Sequence, residues 1–200
     1  MTTSSFTPDD PALPINYPGF VFRMLRDEGY PAGALLADTG LEETHLQDPH
    51  FRCAFRPLRQ LFLNAIEHTG NLHLGVTLAL QFQPTYIGLP AYTAMNASCF
   101  KDGLDVLERF FFLNFPAFEL RLMDRRSGLQ AGEAAIRLRS KFPFSGIEYF
   151  AFSSAHVAIN GLLKAMLKVD RVATRAEITV SRPEGWAPLE TRIGFPFRFG

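Results

Sequence analysis

Phe118-Glu119-Leu120-Arg121-Leu122 alternates apolar and polar side chains, Asp124-Arg125-Arg126-Ser127-Gly128 is a polar turn, and Ala135-Ile136-Arg137-Leu138-Arg139 alternates again. Successive side chains of a strand point to opposite faces, so two such runs about a glycine turn predict a β-hairpin. Its outer face gathers Arg121, Arg137 and Arg139, with Glu119 as counter-charge. Further on, Ser145-Gly146-Ile147-Glu148 fits a capping box and opens a long helix to about Lys168. Arg175 to Ser181 reads as a strand, Pro188 to Arg192 as a short helix, and Phe195-Pro196-Phe197-Arg198-Phe199 as a last strand with three Phe on one face. Before the hairpin the apolar spacing is helical instead, over Pro18–Gly29, Pro31–Ala37, Arg56–His68, Leu72–Gln81 and Phe100–Leu113, with Pro84–Pro90 broken. The expected fold class is α+β: a mainly helical first half packed on a mostly antiparallel sheet, with the order β-β-α-β-α-β in the second half. Residues 1–16 are expected as a flexible arm and 17–200 as one domain.

Composition narrows the function classes. The 200 residues suit one domain, and 20 Lys plus Arg balance 20 Asp plus Glu. Without net charge this stretch alone is a poor binder of nucleic acid or anionic lipid. A content of 47% hydrophobic residues, with 20 Phe, provides a core and excludes a disordered chain. No apolar run reaches the roughly 18 residues of a membrane span. Met1 to Asp10 holds neither base nor apolar stretch, as a signal peptide would. A cytoplasmic globular protein without membrane contact is expected. Residues 1–50 carry two bases against eight acids and residues 51–200 carry 18 against 12, so the two parts attract one another.

Catalytic and metal signatures are missing. The pairs His45/His50 and His68/His73 are five apart, about 140° around a helix, and do not hold one ion. Cys53 and Cys99 form no knuckle, and no nucleophile elbow, P-loop or dinucleotide fingerprint occurs. No enzyme, cofactor or metal is expected. Cys99 precedes the helix from Phe100 and reads as a small buried residue at a helix start.

The densest aromatic run, Phe110-Phe111-Phe112-Leu113-Asn114-Phe115, cannot direct all its rings one way, because each helical step turns about 100°. It suits a segment buried between layers, one side lining an apolar cavity. In the long helix Phe152, Ile159, Leu163 and Met166 form an apolar stripe beside a polar line of Ser153, His156, Asn160 and Lys164. His156 sits at their border, where it could donate to a ligand oxygen and titrate near neutral pH. Tyr149 and Tyr92 are similar polar-tipped aromatics. The candidate ligand-binding residues are Phe111, Phe112, Phe115, Tyr149, Phe152 and His156.

Thr69-Gly70-Asn71-Leu72-His73-Leu74-Gly75 resembles the T-G-[DN]-x-x-L-G segment in the amino-terminal, arabinose-binding-like effector domain of one branch of AraC-type transcription regulators. Gly88-Leu89, Cys99-Phe100-Lys101-Asp102-Gly103-Leu104, Arg182-Pro183 and the closing Phe195-Pro196-Phe197-Arg198-Phe199-Gly200 follow in the order that branch shows. The ordered set spans about residues 17–200. Two positions depart from it. Cys99 stands where a capping Thr is usual, and Gly103 replaces a helical Ala at a cost of about 1 kcal/mol. The resemblance implies a sensor that binds a small effector, often assists dimerisation, and is followed by helix-turn-helix units. The chain is accordingly expected to be the sensor half, with the DNA-binding domain absent after Gly200. The Phe-rich interior favours an apolar effector, a fatty acid or an aromatic acid. The alternative is a dimerisation or partner-docking module without a pocket.

Overall fold

The computed structural model describes residues 6–83, 86, 88–123, 129 and 134–200. Along them run β1 (Leu13–Pro14), α1 (Asn16–Asp27), α2 (Ala32–Leu36), α3 (Glu43–Gln47), β2 (Arg52–Cys53), α4 (Phe55–Thr69), α5 (Leu74–Ala79), α6 (Leu89–Met95) and α7 (Phe100–Phe110). A single 3-10 turn over Phe111–Leu113 leads into β3 (Phe118–Met123), β4 (Ala135–Ser140), α8 (Glu148–Leu167), β5 (Ala176–Ile178), α9 (Ala187–Ile193) and β6 (Phe197–Phe199). The fold is α+β. The turn expected over Asp124–Gly128 lies outside the described residues.

The strands do not form one sheet. Among the described residues they make three separate pairs, β1–β2, β3–β4 and β5–β6. The hairpin β3–β4 is antiparallel, with Leu120 opposite Leu138 and Arg121 opposite Arg137. That like-charge pairing is relieved by Glu119, whose carboxylate accepts from Arg121 at 2.8 Å. The last pair is parallel, Ala176 facing Phe197, because α9 carries the chain over and returns it in the same direction. Two sheets replace one in the second half because α8 has apolar side chains for both. Phe150 belongs to the cluster that holds Phe118 and Phe144, whereas Val157 belongs to the cluster of Ala176, Trp186 and Phe197. Alternation tells which face of a strand is buried, not which edge it joins.

Helix α4 shows how locally the first half is written. Phe55, Leu58, Leu61, Phe62 and Ala65 recur at helical spacing and are buried, and Gly70 closes the helix at φ 60°. The buried Asn64 amide donates to the carbonyls of Leu35 and Ala37 at 3.0 and 2.7 Å, fastening α2 to α4. In the segment read as an arm, Leu13 and Ile15 are buried, the Phe55 amide donates to the Pro8 carbonyl at 2.9 Å, and the Phe6 ring lies 5.7 Å from that of Phe142.

The expected capping box forms in part. Glu148 accepts from the amides of Ser145 and Gly146 at 2.6 and 2.8 Å. The helix itself starts at Glu148, with no side-chain cap at Ile147. Burial works against the Glu148 carboxylate, but the surrounding backbone amides outweigh it and hold its pKa below the ordinary value. Helix α8 is long and apolar enough, by length and composition, to cross a membrane. Here Phe150, Val157 and Leu162 go into the protein's own clusters, and two members of the polar line are also enclosed: Ser153 is fully buried and Asn160 is 6% exposed.

Cys99 occupies the N-cap of α7 without a side-chain cap bond, and it is exposed rather than buried. Gly103 is explained by a close helix crossing. A Cβ at 103 would stand 2.7 Å from the Ala94 carbonyl oxygen of α6 and 2.5 Å from Met166 Cε of α8. Helix propensity alone predicts that Gly103→Ala stabilises by about 1 kcal/mol. The crossing predicts the opposite sign, a loss of about 1–2 kcal/mol from overpacking against backbone. The urea midpoint of the variant decides: a rise would show that α6 and α7 do not need this approach.

Candidate functional site

Helix α8 turns a face of small residues inward. Ile147, Ala151, Ser154, Ala155, Ala158, Ile159 and Leu162 follow at helical spacing and line a cavity of about 120 Å³. Opposite stand Tyr17 and Pro18 at the start of α1, Phe55, Leu58 and Phe62 on one face of α4, Leu107 and Phe110 of α7, and Phe118 and Leu120 of β3. The rings brace one another: Phe62 stacks on Phe150 at 4.8 Å, and Tyr17 meets Phe82 edge-on at 5.5 Å. Rigid rings on three sides cannot collapse onto alanines on the fourth, so a hollow remains. An apolar cavity of roughly 150 Å³ takes a molecule of benzene size. This one is on the scale of a single ring or a short chain.

The lining is almost wholly apolar. Among the described residues no Lys, Arg, His, Asp or Glu belongs to it, and its polar side chains are Tyr17, Asn114 and Ser154. Ser154 donates its hydroxyl proton to the Ala151 carbonyl at 3.1 Å. The Tyr17 hydroxyl is buried with no hydrogen-bond partner, although part of the residue's surface remains accessible. Desolvation pushes its pKa up to about 12, and the nearby Ser154 hydroxyl tempers the rise without meeting hydrogen-bond geometry. Tyr17 therefore stays neutral, its hydroxyl enclosed beside Ser154.

Of the residues singled out from the sequence, Phe111 and Phe115 line this cavity, their rings 5.0 Å apart. Phe112 points elsewhere and is 52% exposed. Phe152 stands behind the wall, edge-on to Phe118 at 5.4 Å. His156 is outside the lining; its Nδ1 donates to the Phe152 carbonyl of its own helix at 2.7 Å, and its ring faces Phe197 at 6.0 Å. Burial lowers its pKa, the bond to Phe152 opposing only in part. Tyr17, Phe55, Phe62, Phe118 and Ser154 were not singled out. The one signal for them was the repeat of Ala and Ser on a face of α8, which marks where bulk is missing.

Tyr149 belongs to a second cluster. Its hydroxyl lies 2.6 Å from His73 Nδ1, while His73 Nε2 lies 2.8 Å from the Glu184 carbonyl. A carbonyl only accepts, so Nε2 carries the proton and Nδ1 accepts from Tyr149. The ring of Trp186 stands 6.1 Å away, its Nε1 buried and without partner. Burial raises the Tyr149 pKa above its ordinary value. The segment Thr69–Gly75 feeds this cluster: Asn71 Oδ1 accepts from the His73 amide at 2.9 Å. A Cβ at Gly75 would come within 2.7 Å of the Phe150 carbonyl. The motif that carried the resemblance thus joins α5 to α8. Among the described residues no three His, Cys, Asp or Glu gather as a metal would require. Cys53 is buried, and desolvation pushes its thiol up to about 12, which makes it inert at neutral pH.

The family model for the N-terminal arabinose-binding domain of AraC transcription regulators matches residues 29–200. The chain belongs to that family. A comparison with curated proteins found no match. Membership makes this an N-terminal small-molecule sensing domain of an AraC-type regulator, a family that is regulatory rather than catalytic in general. The matched segment holds the walls contributed by α4, α7, β3 and α8; Tyr17 and Pro18 lie before it.

The lowered pKa of His156 has a sign that can be checked. As pH falls below about 6.5 the unfolded chain takes up the proton before the folded one does. The stability contribution is whole above that pH and is lost on acidification. Unfolding free energy should therefore fall more steeply from about pH 7 to about pH 5 in the wild type than in His156→Gln. Parallel curves would show that the residue does not titrate with folding.

Proposed function

We propose that the chain is the sensor domain of an AraC-type regulator and binds an apolar effector in the cavity between α8 and the aromatic walls. The observation that supports this best is an unfilled interior of about 120 Å³ lined by rings and alanines with no charged side chain among the described residues. Ligand sites have this composition: apolar walls with one or two polar groups that fix orientation. Phe111 and Phe115 are the aromatic residues of the 110–115 run proposed to touch the effector. Phe112, Tyr149, Phe152 and His156 lie outside the lining and are proposed to act through the packing around it. Of the two ligand types expected, the volume favours a ring over a long fatty chain.

The effector's influence on DNA is proposed to pass to a following helix-turn-helix domain, with assembly as a homodimer; both rest on the family. Binding changes an equilibrium only by the difference in affinity between its states. The effector must therefore prefer one packing of α8 over another. That helix also carries Val157 against the cluster of Ala176, Ile178 and Phe197, so the two sides of α8 share any such preference.

Thermal unfolding with toluene, indole or octanol tests the cavity. A probe at 100 times its Kd should add about 2.7 kcal/mol of stability. Ala155→Leu places three heavy atoms in the hollow; it should leave the unliganded melting temperature within a few degrees and remove the ligand-induced rise. A panel that produces no rise in the wild type, or a rise that survives Ala155→Leu, would refute binding at this place.

A further inference from the structure

We infer that two copies of the chain pair through charge: the arginine face of the β3–β4 hairpin on each copy lies against the acidic surface of α1–α3 on the other. The inference rests on the homodimer proposed above and names the surfaces that form it.

The basic surface is one face of a sheet. Arg121, Arg137 and Arg139 lie on the side of the hairpin opposite Leu120 and Leu138, and all three are exposed. Arg121 stands directly across from Arg137, a like-charge arrangement that works against the hairpin. Glu119 and Glu108 approach Arg121 at 2.8 and 3.8 Å, but among the described residues neither Arg137 nor Arg139 has an ion-pair partner.

The acidic surface is helical. Asp27 ends α1 and Glu28 caps it, Asp38 follows α2, Glu42 and Glu43 open α3, and Asp48 closes it; all six are exposed. Gly19 draws this part together: a Cβ there would stand 2.6 Å from the Leu46 carbonyl oxygen, so α3 lies on α1. The bases of this part are Arg23 and Arg26, and Arg26 donates to the Tyr30 carbonyl. Asp27 and Glu28 also sit at the C-terminal end of α1, where the helix dipole disfavours negative charge.

These charges do not meet within one chain. Asp9 forms an ion pair with Arg56, and among the described residues no other ion pair joins the first 50 residues to the rest. Each surface thus carries an electrostatic cost that a surface of opposite sign relieves. The whole chain is neutral at pH 7, so two copies approach without net repulsion. A nucleic acid would match the hairpin alone and leave the acidic surface unmet. A two-fold axis uses both surfaces at once, since the contact recurs with the roles of the copies exchanged.

Sedimentation velocity of the 200-residue chain tests the pairing. The wild type should be a dimer at low salt, and its Kd should weaken at least about tenfold between about 0.05 and 0.5 M NaCl, because screening shortens the reach of each charge. That reading needs no variant. Arg137→Glu with Arg139→Glu makes both surfaces acidic, and Asp27→Lys with Glu28→Lys and Glu43→Lys makes both basic. Each set alone should sediment as a monomer. An equal mixture of the two should restore the dimer, because every reversed surface then meets its complement. All five positions are exposed, so the variants should keep the melting temperature of the wild-type monomer at high salt. A dimer unmoved by salt, a dimer that survives either set, or a mixture that stays monomeric would overturn these surfaces while leaving a homodimer standing. A wild type that is monomeric at low salt would instead defeat the homodimer reading beneath it.

Discussion

The structure depends on burying one helix on several sides at once. Phe150 of α8 packs into the cluster that contains Leu58, Phe62 and Phe144, Val157 into that of Trp186 and Phe197, and Leu162 into that of Ala91, Ala94 and Leu107. Each such side chain contributes about 1.5–3 kcal/mol through lost contact with water. Truncating any of them would cost more, because the hole it leaves does not close. Two glycines let the neighbours approach: Gly75 brings α5 onto the Phe150 carbonyl, and Gly103 seats α7 beneath Ala94 and Met166. With three sides committed to large residues, the remaining strip of α8 is made of Ala151, Ser154, Ala155 and Ala158, and the cavity is what those small residues leave behind.

That arrangement explains which parts of the fold were legible in the sequence. Helix α4 and the hairpin follow local rules, apolar spacing closed by Gly70 and alternation on either side of a turn, and their residues appear where those rules put them. Helix α6 was hidden because it spans only Leu89–Met95, has Pro90 in its first turn, and shows the interior just Ala91 and Ala94. The single sheet was an over-reading. Alternation in Ala176–Ile178 says that Ala176 and Ile178 face inward, but their partner strand is fixed by α9 and by α8 standing between them and the hairpin. The stripe-and-line pattern on α8 did not tell which side was enclosed: on a helix flanked by three clusters, Ser153 and Asn160 are buried and make their bonds inside, to the Tyr149 carbonyl and from the Ala173 amide.

The cavity was only partly legible. Aromatic density pointed to Phe111 and Phe115, yet a run of rings scatters around its helix, and Phe112 emerges on the outside. Most of the wall comes from α1, α4, β3 and α8, elements remote in sequence, and no local pattern announces that Tyr17 and Ser154 will share a surface. The family motif pointed to the scaffold rather than the site. Thr69–Gly75 fastens α5 to α8 through the close approach of Gly75 and the His73 bonds to Tyr149 and Glu184.

One feature of the cavity runs against stability. An unfilled hollow forgoes the dispersion contacts that close packing would supply. Its small wall residues, Ala151, Ala155 and Ala158, leave that space open. Local departures from good packing concentrate where a protein does its work. A molecule that filled the hollow would return those contacts. It would do so against the helix that carries Val157 and His156 on its other side, where Phe197 of β6 is packed. Close-packed interiors change between discrete packings rather than deform smoothly, so α8 is the element through which the proposed occupancy of the hollow would bear on the seating of β6.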